Sequence, residues 1–163
     1  MQLLAVRSGG LLNGAELSRT SGITQTTLRR YLTLLETLFL VRWVPAWASN
    51  LGKRLQKSPK LFLSDHALMA HLQGQGEAAL LPGALVEAFV HAELAKHQGW
   101  AAMRTQLMHY RAFTGMEVDF VLENRRSELV GIEVKAASTI TSKDLKDLRH
   151  LRDTTPRQFR RGI

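Results

Sequence analysis

The sequence predicts a mixed α/β (α+β) protein in two consecutive parts: helices closed by a hairpin, then a mixed sheet flanked by helices. Two observations carry this expectation. In the first part apolar residues recur at helical spacing and give way to two short runs rich in Val, Phe and Leu. From about residue 107 onward they alternate with polar residues at the two-residue period of strands, with turn residues between the runs. The chain has 163 residues, 45% of them hydrophobic and 22% charged, enough apolar material for a core beneath a polar surface.

Residues 14–21 (GAELSRTS) read as a short helix with Asn13 as its N-cap. Gly22 supplies a turn, and Thr24 caps a second, longer helix. There Leu28, Leu32, Leu35 and Phe39 form one apolar stripe, while Thr26, Arg29, Arg30 and Thr33 occupy a polar face. Two helices joined through a glycine turn make a helix-turn-helix. The strand-like runs LFLVRWVPAW (38–47) and PKLFLSD (59–65), joined by a polar turn at 50–54, would complete a winged helix. Arg29 and Arg30, with Lys53, Arg54, Lys57 and Lys60 around the hairpin, are then candidates for nucleic-acid phosphates. The same segment read as a protein-docking unit or spacer leaves those cations as ordinary surface charge. Trp43 and Trp47 read as packing residues ahead of base-stacking platforms.

Residues 65–81 read as a linking helix and a loop broken by Gly and Pro, which sets the expected segments at 1–64, 65–81 and 82–163. Pro82 suits the first turn of a helix to about His97, ended by Gly99, with Leu85, Val86, Phe89, Val90 and Leu94 on its apolar face. Glu87 lies in line with Val90 and Leu94. It is either a surface glutamate or a carboxylate that needs a partner beside the buried stripe.

Three strands are expected at 107–113, 116–123 and 128–136, with connections short enough for an antiparallel meander. A charged amphipathic helix (141–151) and a last strand (157–163) follow. Alternation puts Glu117 and Asp119 on one face of their strand, and Glu133 and Lys135 on one face of theirs. If the two strands are neighbours, Asp119, Glu133 and Lys135 converge. Two carboxylates that close repel each other unless one is protonated or a cation lies between them. Magnesium or manganese suits such a site, because Mg²⁺ takes oxygen ligands and keeps waters for a substrate phosphate. A lysine beside it can orient or deprotonate the attacking water and hold developing charge. The plain alternative is solvent-facing charges forming cross-strand salt bridges.

Composition narrows the setting. Lys plus Arg exceeds Asp plus Glu by 22 to 14, a net charge of +8 that favours a polyanionic partner such as DNA. The excess runs through both halves, so neither is a disordered basic tail. Cysteine is absent, which excludes disulfides, thiolate nucleophiles and Cys-ligated zinc. No apolar run reaches the ~18 residues of a membrane span, and the start lacks a basic stretch followed by a long apolar one. A cytoplasmic protein without a membrane partner is the expectation, its oligomeric state left open.

Several stretches together resemble the C-terminal region of a group of bacterial and archaeal AAA-type P-loop ATPases, long carried as a domain of unknown function. They are LLNGAELSRTSGITQTTLRRYLTLLETLFLV, KRLQKSPKLFLSD, LVEAFVHAEL, and YRAFTGMEVDFVLE followed by IEVKAA. The resemblance covers nearly the whole chain. It implies a winged helix followed by a restriction-endonuclease-like, PD-(D/E)xK sheet. It also implies roles: Asp119 and Glu133 as metal-binding acids, Lys135 as the catalytic lysine and Glu87 as the acid of the first helix. Val118 stands where the motif name has proline. The implied partner is a P-loop ATPase domain of the same protein, since no G-x-x-x-x-G-K-[ST] loop occurs in these residues. The resemblance further implies that the chain continues beyond both ends. The expected function is metal-dependent phosphodiester cleavage. Two alternatives stand beside it: a non-catalytic docking or sensor module on the same scaffold, and a simple winged-helix transcription factor, which the second half disfavours.

Overall fold

The first helices form where the sequence supplies caps. In the computed structural model, which describes residues 1–74 and 83–163, the Asn13 side chain accepts a hydrogen bond from the Glu16 amide at 3.1 Å. The Thr24 hydroxyl does the same for the Thr27 amide at 3.4 Å. The elements are α1 (Gln2–Val6), α2 (Gly14–Ser21), α3 (Gln25–Thr37), β1 (Val41–Val44), β2 (Ala46–Trp47), α4 (Leu51–Gln56) and β3 (Lys60–Leu63). After these come α5 (His66–Leu72), α6 (Gly83–Trp100), β4 (Thr105–Arg111), β5 (Glu117–Asn124), β6 (Leu129–Ile132), α7 (Lys146–Thr154) and β7 (Phe159–Gly162). The expected helix start at Pro82 and the loop through 75–81 lie outside the described residues. Among those described, no helix is long and apolar enough to cross a membrane.

The residues divide into two compact units that do not follow the chain as consecutive segments. One holds Met1–Val44 and Ser58–Ala92; the other holds Pro45–Lys57 and Glu93–Ile163.

In the first unit α2 and α3 are joined at Gly22, whose φ of 70° is the left-handed conformation that favours glycine. Leu17, Leu28 and Leu32 are buried, whereas Arg29 and Arg30 are exposed, as the periodicity requires. Phe39 departs from the expected stripe. The helix ends at Thr37, Phe39 takes a φ of 58°, and its ring is 74% exposed. β1 and β3 pair antiparallel, Val41 against Leu63 through Val44 against Lys60. The connection between them is not a wing turn. Residues 45–57 belong to the other unit, and the expected turn at 50–54 is the start of α4, capped by the Asn50 side chain accepting from the Gly52 amide at 2.8 Å.

α6 buries a different face from the expected one. Leu85, Ala88, His91 and Ala92 are buried, while Phe89 is 46% exposed, and the helix runs through Gly99 to Trp100. His91 is 1% exposed and stacks on Phe62 with ring centroids 4.2 Å apart. Burial first, and the Arg42 charge second, lower its pKa from 6.5 to about 4. The folded state therefore keeps a neutral imidazole where the unfolded chain takes up a proton. The stability this provides is complete above about pH 6.5 and is lost as the pH falls toward 4. The loss is about 3 kcal/mol at full extent. Urea unfolding between pH 7 and 4.5 should show that slope in the wild type and a flatter one in His91→Phe.

In the second unit a five-stranded mixed sheet runs β2-β4-β5-β6-β7. β4, β5 and β6 form the expected antiparallel meander, and the edge strands β2 and β7 pair parallel to β4 and β6. Trp47, Met108, Tyr110, Val118, Val121 and Leu129 form its core with Leu148 and Leu151 of α7, so Trp47 is a packing residue. α7 lies close because residue 131 is glycine: a Cβ there would fall 2.8 Å from one Leu148 methyl and 3.2 Å from one of Leu151. α7 begins later than expected. The Asp144 carboxylate accepts from the Thr141 amide at 2.8 Å and its hydroxyl at 2.6 Å, closing a turn instead of a helix.

One departure bears on chemistry. The β4–β5 register shifts between Met108 and Tyr110, which pair with Val121 and Val118. Asp119 and Phe120 thus stand opposite the single residue His109, a bulge that interrupts the expected alternation in β5. It lets Val118 and Val121 enter one core cluster although an even spacing does not separate them.

Candidate functional site

Asp119, Glu133 and Lys135 come together at one end of β5 and β6. Phe120 pairs with Ile132, and one residue further along the same register Asp119 comes opposite Glu133. β6 itself stops at Ile132, short of the expected 136, but the backbone stays tied in. The Glu133 amide donates to the Ile163 carbonyl at 2.9 Å, and the Val134 amide donates to Asp119 Oδ2 at 2.9 Å. That second bond docks the aspartate onto the Glu-x-Lys backbone, so the side chains on either side of Val134 flank it. Lys135 Nζ donates to Glu133 Oε1 at 2.6 Å.

The electrostatics follow from unequal exposure. The Glu133 side chain is 7% exposed, against 37% for Lys135. Burial raises the Glu133 carboxyl's pKa, the hydrogen bond from Lys135 opposes this, and the nearby Asp119 and Asp147 charges add to the rise. Glu133 Oε2 is buried without a hydrogen-bond partner among the described residues. A carboxylate oxygen in that state is costly unless it carries a proton or meets a cation. The Lys135 ammonium is held charged: its pKa is raised by the Glu133 hydrogen bond first, and by the charges of Glu133, Asp119 and Asp144. Asp144 and Asp147 were not among the residues singled out from the sequence. Their only signal was acidic character just after Glu-x-Lys.

The other residues named from the sequence have surroundings of their own. Glu87 belongs to the first unit, where Oε1 meets Lys60 Nζ at 3.0 Å. Lys60 is 3% exposed, which removes it from the cations available to a phosphate. Arg54 stands on α4 in the second unit and not on a wing. Its guanidinium bonds both Glu123 oxygens, at 2.5 and 2.9 Å, and the Ala48 carbonyl. Lys57 donates to the Arg111 carbonyl at 2.6 Å. Lys53 is exposed on α4. Arg29 and Arg30 are exposed on α3, and Arg29 borders a groove of about 470 Å³ lined also by Leu28, Leu32 and Trp43.

Among the described residues no group of three or more His, Cys, Asp or Glu side chains is arranged to hold a metal ion. The donor set at the sheet end is two carboxylates and an ammonium. It fits a cation that completes its shell with water and substrate oxygens. It does not fit one that needs a closed protein cage.

Comparison with known proteins places the chain among relatives. Residues 1–79 match the family described as "Domain of unknown function (DUF8612)". Two mycobacterial proteins, "Uncharacterized protein Mb2031c" of Mycobacterium bovis and "Uncharacterized protein Rv2008c" of Mycobacterium tuberculosis, are each 34% identical to it over 142 residues. The match covers 84% of this chain and 31% of each relative, so the chain spans about a third of the length of the curated relatives it matches. No solved structure matches. Residues 82–163 match the family described as "Domain of unknown function (DUF4143)", which takes in the whole carboxylate and lysine site, and the chain belongs to that family.

Proposed function

We propose that this chain is the C-terminal module of an AAA-type ATPase, associated with nucleic acid and carrying a divalent-metal-dependent PD-(D/E)xK phosphodiesterase site. The observation that supports this best is the meeting of Asp119 and Glu133 across β5 and β6, with Lys135 alongside and a buried Glu133 oxygen without a partner. The relatives are about three times as long as the part matched here, which leaves room for the P-loop domain these residues lack.

Asp119 and Glu133 would hold Mg²⁺ or Mn²⁺, which when bound activates water and draws charge from the phosphoryl oxygens. The chain's own groups have separate tasks. Asp119 is oriented by the Val134 amide, which donates to one of its two oxygens. Lys135, held protonated, stabilises charge developing on the phosphate and orients the water rather than removing its proton. In the first unit Arg29 and Arg30, with Thr26 and Thr33 on the same face of α3, would contact backbone phosphates as a helix-turn-helix does. Glu87, which bonds Lys60 within the first unit, would be the acid of the first helix, as the resemblance implies.

The test is a Mn²⁺ titration followed by electron paramagnetic resonance. The wild type should bind one ion, and Asp119→Asn and Glu133→Gln should each lose it. Affinity should rise with pH, because burial raises the Glu133 carboxyl's pKa and the ion must displace that proton. No binding in the wild type, or unchanged binding in both variants, would sink the metal reading.

A docking module on the same scaffold is the second reading, and α3 favours it. Tyr31, Leu34 and Leu38 are 52%, 53% and 56% exposed at spacings of three and four, an apolar stripe beside the basic face.

A further inference from the structure

At the other end of β5, within the second unit, the sheet carries an unbalanced cluster of arginines. One groove of about 420 Å³ is lined by Arg54, Arg104, Glu123 and Arg125, with Thr105, Asn124 and two serines. A second, of about 450 Å³, has Arg104 and Arg125 again, together with Arg126 and Glu128. Both carboxylates already have cations. Glu123 takes two bonds from Arg54, and Glu128 accepts from Arg160 at 3.0 Å. Arg104, Arg125 and Arg126 are exposed, and none forms an ion pair among the described residues. Three guanidinium groups therefore border two adjoining grooves, the second lined also by Ala102 and Met103. The two carboxylates of these grooves are already bonded by other arginines, with Glu128 feeling the Arg126 charge as well.

The turn that carries two of them is built to stay in one shape. The Ser127 amide donates to the Asn124 carbonyl at 3.0 Å, closing the turn. Asn124 Oδ1 accepts from the amides of Arg126 at 2.9 Å and Glu128 at 3.0 Å, and Nδ2 donates to Glu128 at 2.6 Å. Ser127 takes a φ of 59°, the left-handed region that favours glycine. A serine kept there by this network holds Arg125 and Arg126 on a fixed backbone, so only their side chains are left to order when a ligand arrives. A protein partner is met by aromatic or aliphatic anchors in a dry pocket. Guanidinium forks bordering open grooves match phosphate, which arginine binds through paired N–H donors.

We propose that this arginine-lined end of the sheet, at the β5–β6 turn and the start of β4, binds consecutive phosphates of a nucleic-acid backbone through Arg104, Arg125 and Arg126. The site uses residues other than the carboxylates at the other end of β5 and other than those of the basic α3 face, and it does not depend on cleavage.

Fluorescence anisotropy of the full chain with a short labelled DNA duplex, across a series of salt concentrations, tests it. Replacing all three arginines by glutamine should weaken binding about 10-fold or more at low salt. It should also reduce the slope of log affinity against log salt by about two to three, near 0.9 per lost phosphate contact. Replacing them by lysine should keep most of the slope, which separates loss of charge from damage to the turn. Arg29→Gln with Arg30→Gln, measured in parallel, reports the α3 face by itself. A glutamine triple variant with wild-type affinity and slope would overturn the proposal, as would a wild type that binds no duplex. Polyglutamate bound as tightly as the duplex, and lost equally in the variant, would assign the site to an acidic protein segment instead.

Discussion

Magnesium-dependent nicking of supercoiled plasmid should fall by about 100-fold or more, to background, in both Asp119→Asn and Lys135→Ala. The magnitude is that of removing one group which acts on charge developing in the transition state. The choice of substitution follows from the structure. Asp119 accepts the Val134 amide at 2.9 Å, so alanine would orphan a backbone donor and cost about 1 kcal/mol besides the charge. Removing one of two repelling carboxylates therefore does not by itself make Asp119→Ala a stabilising change. Asparagine keeps an acceptor in place and removes only the charge. Lys135 is 37% exposed and lies outside the ladder, but its loss takes the hydrogen bond from the buried Glu133 carboxylate. Lys135→Ala should therefore also lower the melting temperature, a cost the melts separate from the loss of cleavage. The assay compares wild type and both variants with magnesium and with manganese, alongside thermal melts. Equal background cleavage in all three would end the catalytic claim and leave the docking reading.

The largest stability effect is expected at Glu123. Its side chain is 9% exposed and takes two bonds from Arg54, itself 18% exposed, which ties α4 to β5 within the second unit. The Arg54 guanidinium also bonds the Ala48 carbonyl and lies 5.5 Å from the Trp47 ring centroid. Glu123→Ala leaves that cation in place without the carboxylate that bonds it, and breaking a pair this enclosed costs about 3 kcal/mol or more. Arg54→Ala should cost a similar amount. The double replacement Arg54→Met with Glu123→Leu should recover most of the loss, because no charge is then left buried. Urea denaturation of the four proteins measures these changes directly. A Glu123→Ala change within about 0.5 kcal/mol of wild type would show that water reaches the pair.

Local chemistry was legible in the sequence wherever the determining groups are near neighbours. Asn13 and Thr24 cap the helices they precede, each with a donor three residues on. Gly22 marks the turn between α2 and α3 because its φ is one that glycine adopts readily. The β4–β5–β6 meander followed from short connections and alternation. So did the neighbouring of Asp119 and Glu133, whereas the bond from the Val134 amide that fixes the aspartate did not. Tertiary structure decided the rest. Residues 45–57 leave the β1–β3 pair for the second unit, where Trp47 has a core to enter and Arg54 has Glu123 to meet. Local sequence there reads equally well as a hairpin turn. Likewise the buried face of α6, the Lys60–Glu87 pair and the bulge at Asp119 depend on residues tens of positions away or across a strand. Caps and turns are settled by bonds within a few residues, whereas burial and ion pairing are settled by whichever distant surface the chain closes upon.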